Sequence, residues 1–195
     1  VVIQAGAAYE EQLEKESVIT DALKRKNMIR NQLKRLEEEN GWSIPVDEEL
    51  LEEVNNLVEY PTALYGKFEE EFLELPERVL ITSMKEHQRY FPVKDPSGKL
   101  LPYFVTVRNG DSNGIETVAR GNEKVLRARL ADAAFFYKED QTKSIDSCLK
   151  KLETIVYHEE IGTLAEKVAR VRGLTNSLAQ ALNVNEETKR YAERA

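Results

Sequence analysis

The first third of the chain has the apolar spacing of amphipathic helices. Asp21 stands at the N-cap position of a predicted helix, and Gly41 follows its last turn. A second helix is predicted over DEELLEEVNNLVEY (47–60), where Pro61 ends it. The apolar residues of the first helix recur at i, i+4 and i+7 and are Ile29, Leu33 and Leu36. The sequence therefore predicts two helices before residue 61.

Residues 76–110 predict a short helix followed by a β-hairpin. Pro76 suits the first turn of a helix over 77–87, because its missing N–H has no partner in that turn. RYFPV (89–93) and LLPYFVTV (100–107) predict two strands on either side of a turn. Each strand contains a proline, which favours a sheet edge or a bulge. The residues that share one side of the predicted helix are Leu80, Ser83, Met84 and His87.

The loop NGDSNG (109–114) is the clearest break in the chain, and the pattern after it is helical. Helices are predicted over 121–140 and 144–160, and Thr163 with Glu166 forms a capping box for a third helix. The prediction is an α+β fold, with N-terminal helices and a small antiparallel sheet followed by an all-helical second half. The predicted domains are 1–112, an α+β domain with an antiparallel hairpin, and 113–195, a helical domain.

Charge is unevenly distributed, although the net charge is −7. Residues 44–77 hold eleven Asp or Glu and one lysine, whereas residues 79–110 hold five Lys or Arg and two acids. An acidic total therefore does not exclude a locally basic binding face. No stretch approaches the roughly 18 apolar residues of a membrane span, so no membrane partner is expected. The single cysteine, Cys148, suits a reducing cytoplasm.

The usual signatures of catalysis are missing from the sequence. It contains neither a GxxxxGK phosphate loop nor a GxGxxG turn, and its two histidines and one cysteine cannot form a zinc site of usual spacing. His158 is predicted at the end of the 144–160 helix, where the helix dipole favours a histidine without any catalytic role. No metal ligand and no catalytic residue is assigned.

The helix predicted over 121–140 carries a narrow arc of cations on a different side from its apolar face. Such an arc is spaced to follow a phosphate backbone, although a solvated helix face gives the same pattern. Arg129 projects instead beside Phe136 at the apolar edge, where a guanidinium needs a carboxylate such as Asp132, Asp140 or Glu86. We therefore expect a structural role for Arg129 and Asp132. The candidate RNA-binding cations of the arc are Arg120, Lys124, Arg127 and Lys138.

The stretch MKEHQRYFPV (84–93) groups charged residues with one of the two histidines. His87 shares the helix side of Met84, so its ring is expected against the core, as a structural polar group that is not an acid–base centre. Lys85 and Arg89 are the further candidate RNA contacts.

Several long strings occur in a specific order: LEEVNNLVEYPTALYGKF (51–68), SMKEHQRYFPV (83–93), LLPYFVTVRNGD (100–111) and GNEKVLRARLADAAFFYKED (121–140). In this order they closely resemble the beta subunit of the bacterial heterotetrameric glycyl-tRNA synthetase. The resemblance covers essentially the whole chain, and its strings are long and unusual.

The resemblance implies a division of labour. The alpha subunit of that family activates glycine with ATP and Mg²⁺, and the beta subunit contributes to recognition of tRNA(Gly). The resemblance therefore implies a cytoplasmic protein with the alpha subunit and tRNA(Gly) as partners. It implies no cofactor in the present chain.

The chain is expected to be an internal portion of beta that runs into a truncated HD-like helical region. No His-Asp dipeptide is present, so no phosphohydrolase metal site is assigned. Two roles stay open: an RNA-binding and subunit-assembly module of the ligase, or a structural scaffold that positions other tRNA-binding domains. An editing hydrolase is disfavoured, because no nucleophile–base pair is visible.

Overall fold

The computed structural model describes residues 6–194, which form two compact units with a boundary between residues 137 and 138. The α-helices are α1 (Tyr9–Lys15), α2 (Ala22–Asn40), α3 (Glu48–Leu57), α4 (Glu77–Thr82), α5 (Ile115–Thr142), α6 (Ile145–Leu149), α7 (Leu164–Ala181) and α8 (Glu186–Arg194). The strands are β1 (Pro61–Lys67), β2 (Phe91–Lys94), β3 (Leu100–Asn109), β4 (Val156–His158) and β5 (Gly162–Thr163). The predicted α+β class is confirmed. Among the described residues, none of the helices combines the length and the hydrophobicity that a transmembrane span requires.

The first unit has three layers, because helices pack on both faces of a central antiparallel sheet. The strand order of this sheet is β1-β3-β2. Side chains from α2 and α3 pack with Val105 against one face of the sheet. On the other face, Phe104 packs with Leu126 and Leu130 of α5 and with α4. Because β3 lies between the other two strands, β1 and β2 are the edges of the sheet.

The sequence predicts α2 correctly and misses β1. The Asp21 carboxylate accepts hydrogen bonds from the N–H groups of Leu23 and Lys24 at 2.8 and 3.1 Å, and Gly41 ends the helix with φ of 67°. The second predicted helix is observed as α3, but it ends at Leu57, and Pro61 is the first residue of a strand. Strand β1 pairs with β3, some forty residues away in the chain, and local sequence does not report such pairing.

The helix and hairpin predicted for 76–110 are confirmed. Helix α4 is followed by one turn of π-helix (Ser83–His87), and β2 then pairs with β3. Pro92 lies on the edge strand β2, where the register shifts, so it removes no N–H from a regular ladder.

In the second unit, the end of α5 is followed by α6, a 3-10 turn (Lys150–Glu153) and a small hairpin, β4-β5. The prediction of one continuous helix over 144–160 is therefore wrong. Gly162, whose φ is 92°, allows the tight turn after which β5 pairs with β4. The capping box of Thr163 and Glu166 at the start of α7 is confirmed.

The division between the units also differs from the predicted boundary after residue 112. Most of α5 belongs to the first unit, because Leu126 and Leu130 are fully buried in its core. The NGDSNG loop is a surface turn before α5 and lies inside the first unit.

Candidate nucleic-acid interface

Helix α5 presents its predicted cations to solvent. Arg120, Lys124 and Arg127 are exposed, whereas Leu126 and Leu130 of the same helix are buried. The fourth residue of the predicted arc, Lys138, is exposed and belongs to the second unit. The apolar face and the polar face of this helix are therefore divided as predicted.

The cations of α5 differ in how far carboxylates neutralise them. Arg127 forms an ion pair with Glu69. Arg120 lies 4.0 Å from the Glu116 carboxylate and donates to the Thr117 hydroxyl at 3.0 Å. Lys124 has no carboxylate oxygen within 4.0 Å among residues 6–194. Lys124, and to a lesser degree Arg120, can therefore meet a phosphate without first breaking a strong ion pair.

The other two candidate cations are held within the fold. Lys85 pairs with Asp47, and this contact is the largest cause that lowers the pKa of the Asp47 carboxyl below its usual range. Arg89 pairs with Glu53 and also donates to the carbonyl of Glu86. A φ of 60° at Arg89 is unusual for a residue with a side chain. Both ion pairs link the π-helical turn and the residues after it to the start and the middle of α3. Lys85 and Arg89 are therefore less available to RNA than Lys124.

Two expectations for structural polar residues are wrong. His87 is exposed, because the π-turn changes the angular spacing of its side chain relative to Met84, which is fully buried. Arg129 is also exposed, and no carboxylate of the described residues lies within 4.0 Å of it, Asp132 included. Water solvates the guanidinium at this surface, so it needs no partner.

The buried polar anchor of MKEHQRYFPV is Tyr90. Its hydroxyl donates to Oδ1 of Asn122 on α5 at 2.6 Å, and its ring stacks on Phe104 at 4.5 Å between centroids. Burial raises the pKa of the Tyr90 phenol to about 12, so it stays protonated at neutral pH. Tyr90 therefore joins β2 to α5 as a neutral hydrogen-bond donor.

The exposed edge of β1 is partly covered by two side chains that the sequence did not single out. Gln32 of α2 donates to the carbonyl of Pro61 at 2.9 Å and accepts from the N–H of Ala63 at 2.7 Å. At the other end of the strand, Glu123 of α5 accepts from the N–H of Lys67 at 3.0 Å. The middle of the edge, at Tyr65, has no such cover among the described residues.

An open groove with a volume of about 790 Å³ lies along this edge. Leu36 of α2 lines one side, and Ile115, Ala119 and Arg120 of α5 line the other. Tyr65 is 44% exposed and stands 5.1 Å, centroid to centroid, from the edge-on ring of Trp42. The groove thus combines apolar walls with two tyrosines, two cations and two carboxylates, which are Tyr65, Tyr103, Lys67, Arg120, Glu116 and Glu123.

Within the part of the chain that the structure describes, no three His, Cys, Asp or Glu side chains come together as a possible metal site. Charge, aromatic surface and an open strand edge are what this unit offers. These features suit the binding of a partner at the surface of the unit.

Comparisons with known proteins agree on one class, the aminoacyl-tRNA synthetase subunits. The model of the family described as "Glycyl-tRNA synthetase beta subunit" matches residues 1–195. The chain is 63% identical over 195 residues to the glycine–tRNA ligase beta subunit of Bacillus subtilis (strain 168). It is 56% identical over 188 residues to that of Halalkalibacterium halodurans and 57% identical over 187 residues to that of Shouchella clausii, each time over 96% of this chain.

The chain therefore belongs to the glycyl-tRNA synthetase beta-subunit family. It spans 29% of the length of the Bacillus subtilis relative, with the match covering the whole chain, and 27% of the other two. The resemblance seen in the sequence is confirmed at the level of the family.

Proposed function

We propose that this chain is the part of a glycine–tRNA ligase beta subunit that contacts tRNA(Gly) through α5 and takes part in subunit assembly. The observation that carries the proposal is a pair of exposed, incompletely neutralised cations on α5: Arg120, which lines the open groove, and Lys124. Phosphate oxygens favour exposed cations of this kind, and each contact releases counterions from the RNA.

The chemistry of aminoacylation is assigned to the alpha subunit in this proposal. ATP and Mg²⁺ act there, and the present chain supplies binding surface. Two features of the first unit support this division: its cations lie on a helix surface, and its most strongly buried titratable group, Tyr90, is a structural phenol.

The scaffold role is favoured by a different observation. Phe135 and Phe136 of α5 are 61% and 63% exposed and contact each other with 5.5 Å between ring centroids. Two large apolar rings at a surface fit a protein contact better than a phosphate contact. Assembly through this pair and RNA binding through Arg120 and Lys124 can coexist on the same helix.

The test of RNA binding is the salt dependence of tRNA affinity in the complete ligase. The logarithm of the association constant decreases linearly with the logarithm of the salt concentration. In the double variant Arg120→Glu with Lys124→Glu, this dependence should become less steep, by about 0.7 to 0.9 for each lost phosphate contact. The control is Lys34→Glu, which changes an exposed lysine on α2, the helix that packs on the other face of the sheet. An unchanged slope in the α5 variant, with tRNA still bound, would leave the scaffold role as the better account.

A further inference from the structure

We propose that the groove at the β1 edge is a nucleobase subsite, in which the backbone of Ala63 and Tyr65 hydrogen-bonds the polar edge of one unpaired base. This inference rests on the proposed function, because it names what part of an RNA the groove would take. It assigns nucleobases as ligands to backbone groups of β1, and no sequence motif identifies these groups.

The fold already contains a template for this recognition. The carboxamide of Gln32 places its N–H₂ against the carbonyl of Pro61 and its oxygen against the N–H of Ala63. A strand edge thus offers a carbonyl at one residue and an N–H two residues later, and a planar group with adjacent donor and acceptor satisfies both.

The next repeat along the same edge is unoccupied by protein. In a strand, every second residue points its N–H and C=O groups to the same side. Because Ala63 and Lys67 donate away from β3, to Gln32 and Glu123, the N–H of Tyr65 also points away from β3. The carbonyl of Ala63 and the N–H of Tyr65 therefore repeat the pair that Gln32 binds, and no described residue bonds to them.

The walls of the groove suit a flat ring. Helices α2 and α5 pack on opposite faces of the sheet, so Leu36 and Ala119 approach the β1 edge from opposite sides. Ile115 adds apolar surface four residues before Ala119, on the same side of α5. A base bound to the strand edge would have its two faces against these apolar side chains, as an extruded base has in the pocket of a base-flipping enzyme.

The same edge is poorly suited to an added peptide strand. Strand addition requires several successive outward backbone groups, and Gln32 and Glu123 already occupy those at both ends of β1. Only one complete carbonyl and N–H pair is open between them. Arg120, which lines the groove 4.0 Å from the Glu116 carboxylate, adds a cation for the phosphate that an unpaired nucleotide carries.

Removal of the Tyr65 N–H tests the proposed hydrogen bond in the complete ligase. Tyr65→Pro deletes this donor and no ladder bond, because the N–H points away from β3. Tyr65→Val is the matched control, because it loses the aromatic ring and keeps the N–H. We expect Tyr65→Pro to bind tRNA about tenfold more weakly than Tyr65→Val.

A second pair of variants keeps the test independent of proline in the strand. Ala119→Phe fills the groove from α5, and Ala131→Phe places the same ring at an exposed position of α5 outside the groove. Ala119→Phe alone should weaken tRNA binding by a comparable factor. If both phenylalanine variants bind tRNA as the wild type does, the subsite assignment is wrong.

Hydrogen exchange of the β1 peptide reads the contact directly. Tyr65 carries the only β1 amide without a hydrogen-bond partner in the described part of the chain, so slower exchange on adding tRNA reports occupation of this N–H. Slower exchange with AMP alone would keep the nucleobase assignment and identify a free nucleotide as the source. Protection in the ligase before any RNA or nucleotide is added, or no change with either, would overturn the proposal.

The two proposals fail separately. Phosphate binding by α5 is contradicted if the double variant Arg120→Glu with Lys124→Glu shows the same salt dependence of tRNA affinity as the wild type. A normal salt slope together with equal tRNA affinities of the Tyr65→Pro and Tyr65→Val variants contradicts the base subsite alone.

Discussion

Gly66 in β1 is the position where the fold depends most sharply on the absence of a side chain. A Cβ atom there would lie 2.5 Å from Cζ of Phe104 and 3.0 Å from Cγ of Glu123. Phe104 is fully buried and stacked on Tyr90, so its ring cannot move without displacing the core around α5. Overpacking of this kind costs about 1 to 3 kcal/mol. A Gly→Ala change also stabilises the folded protein by about 0.4 to 1 kcal/mol, because it lowers the conformational entropy of the unfolded chain.

Gly66→Ala should therefore lower the free energy of unfolding by about 1 to 2 kcal/mol. Urea denaturation, followed by far-UV circular dichroism, measures this change as a shift of the midpoint with an unchanged slope. Gly121→Ala is the matched control: it lies inside α5, a Cβ there meets nothing within 4 Å, and the change should stabilise by up to about 1 kcal/mol. A Gly66→Ala protein as stable as the wild type would refute the reasoning.

Three further outcomes are expected. Asp47→Ala should cost about 1 kcal/mol through loss of the α3 cap, whereas Asp47→Asn keeps a cap. Because the folded pKa of Asp47 is lowered, its ionic stabilisation is present above the ordinary value of 3.8 and lost as pH falls through the lowered pKa, so acid titration of stability should be shallower in Asp47→Asn. His87→Gln should change stability by less than about 0.5 kcal/mol, and ligase turnover by less than tenfold, far from the 10²- to 10⁴-fold contribution of a general base. The 195-residue chain alone should show no glycine-dependent pyrophosphate exchange, and measurable exchange would contradict the assignment of chemistry to alpha.

Local signals in the sequence predicted local structure well. Asp21 and Gly41 mark the two ends of α2, and Thr163 with Glu166 marks the start of α7, because each cap is satisfied by groups within a few residues. The hairpin of β2 and β3 was also predictable from its turn. These elements needed no knowledge of the tertiary fold.

Features that depend on distant partners were missed. Strand β1 exists because β3 pairs with it, and Pro61 was interpreted only as a helix stop. The open edge of β1 follows from the strand order and from Gln32, which looks like an ordinary helix residue in the sequence. The burial of His87 was predicted from α-helical spacing, and the π-turn altered that spacing. The groove could therefore be found only in the structure.

Contact between α5 and tRNA is the central claim, and site-specific photocrosslinking tests it most directly. A benzophenone amino acid placed at position 124 of the complete ligase should crosslink to tRNA(Gly) on irradiation, because Lys124 is exposed on the proposed RNA-binding side of α5. The same group at position 34, on α2, should give little or no RNA adduct. Equal yields of RNA adduct at both positions, or adducts with protein alone at position 124, would contradict the account.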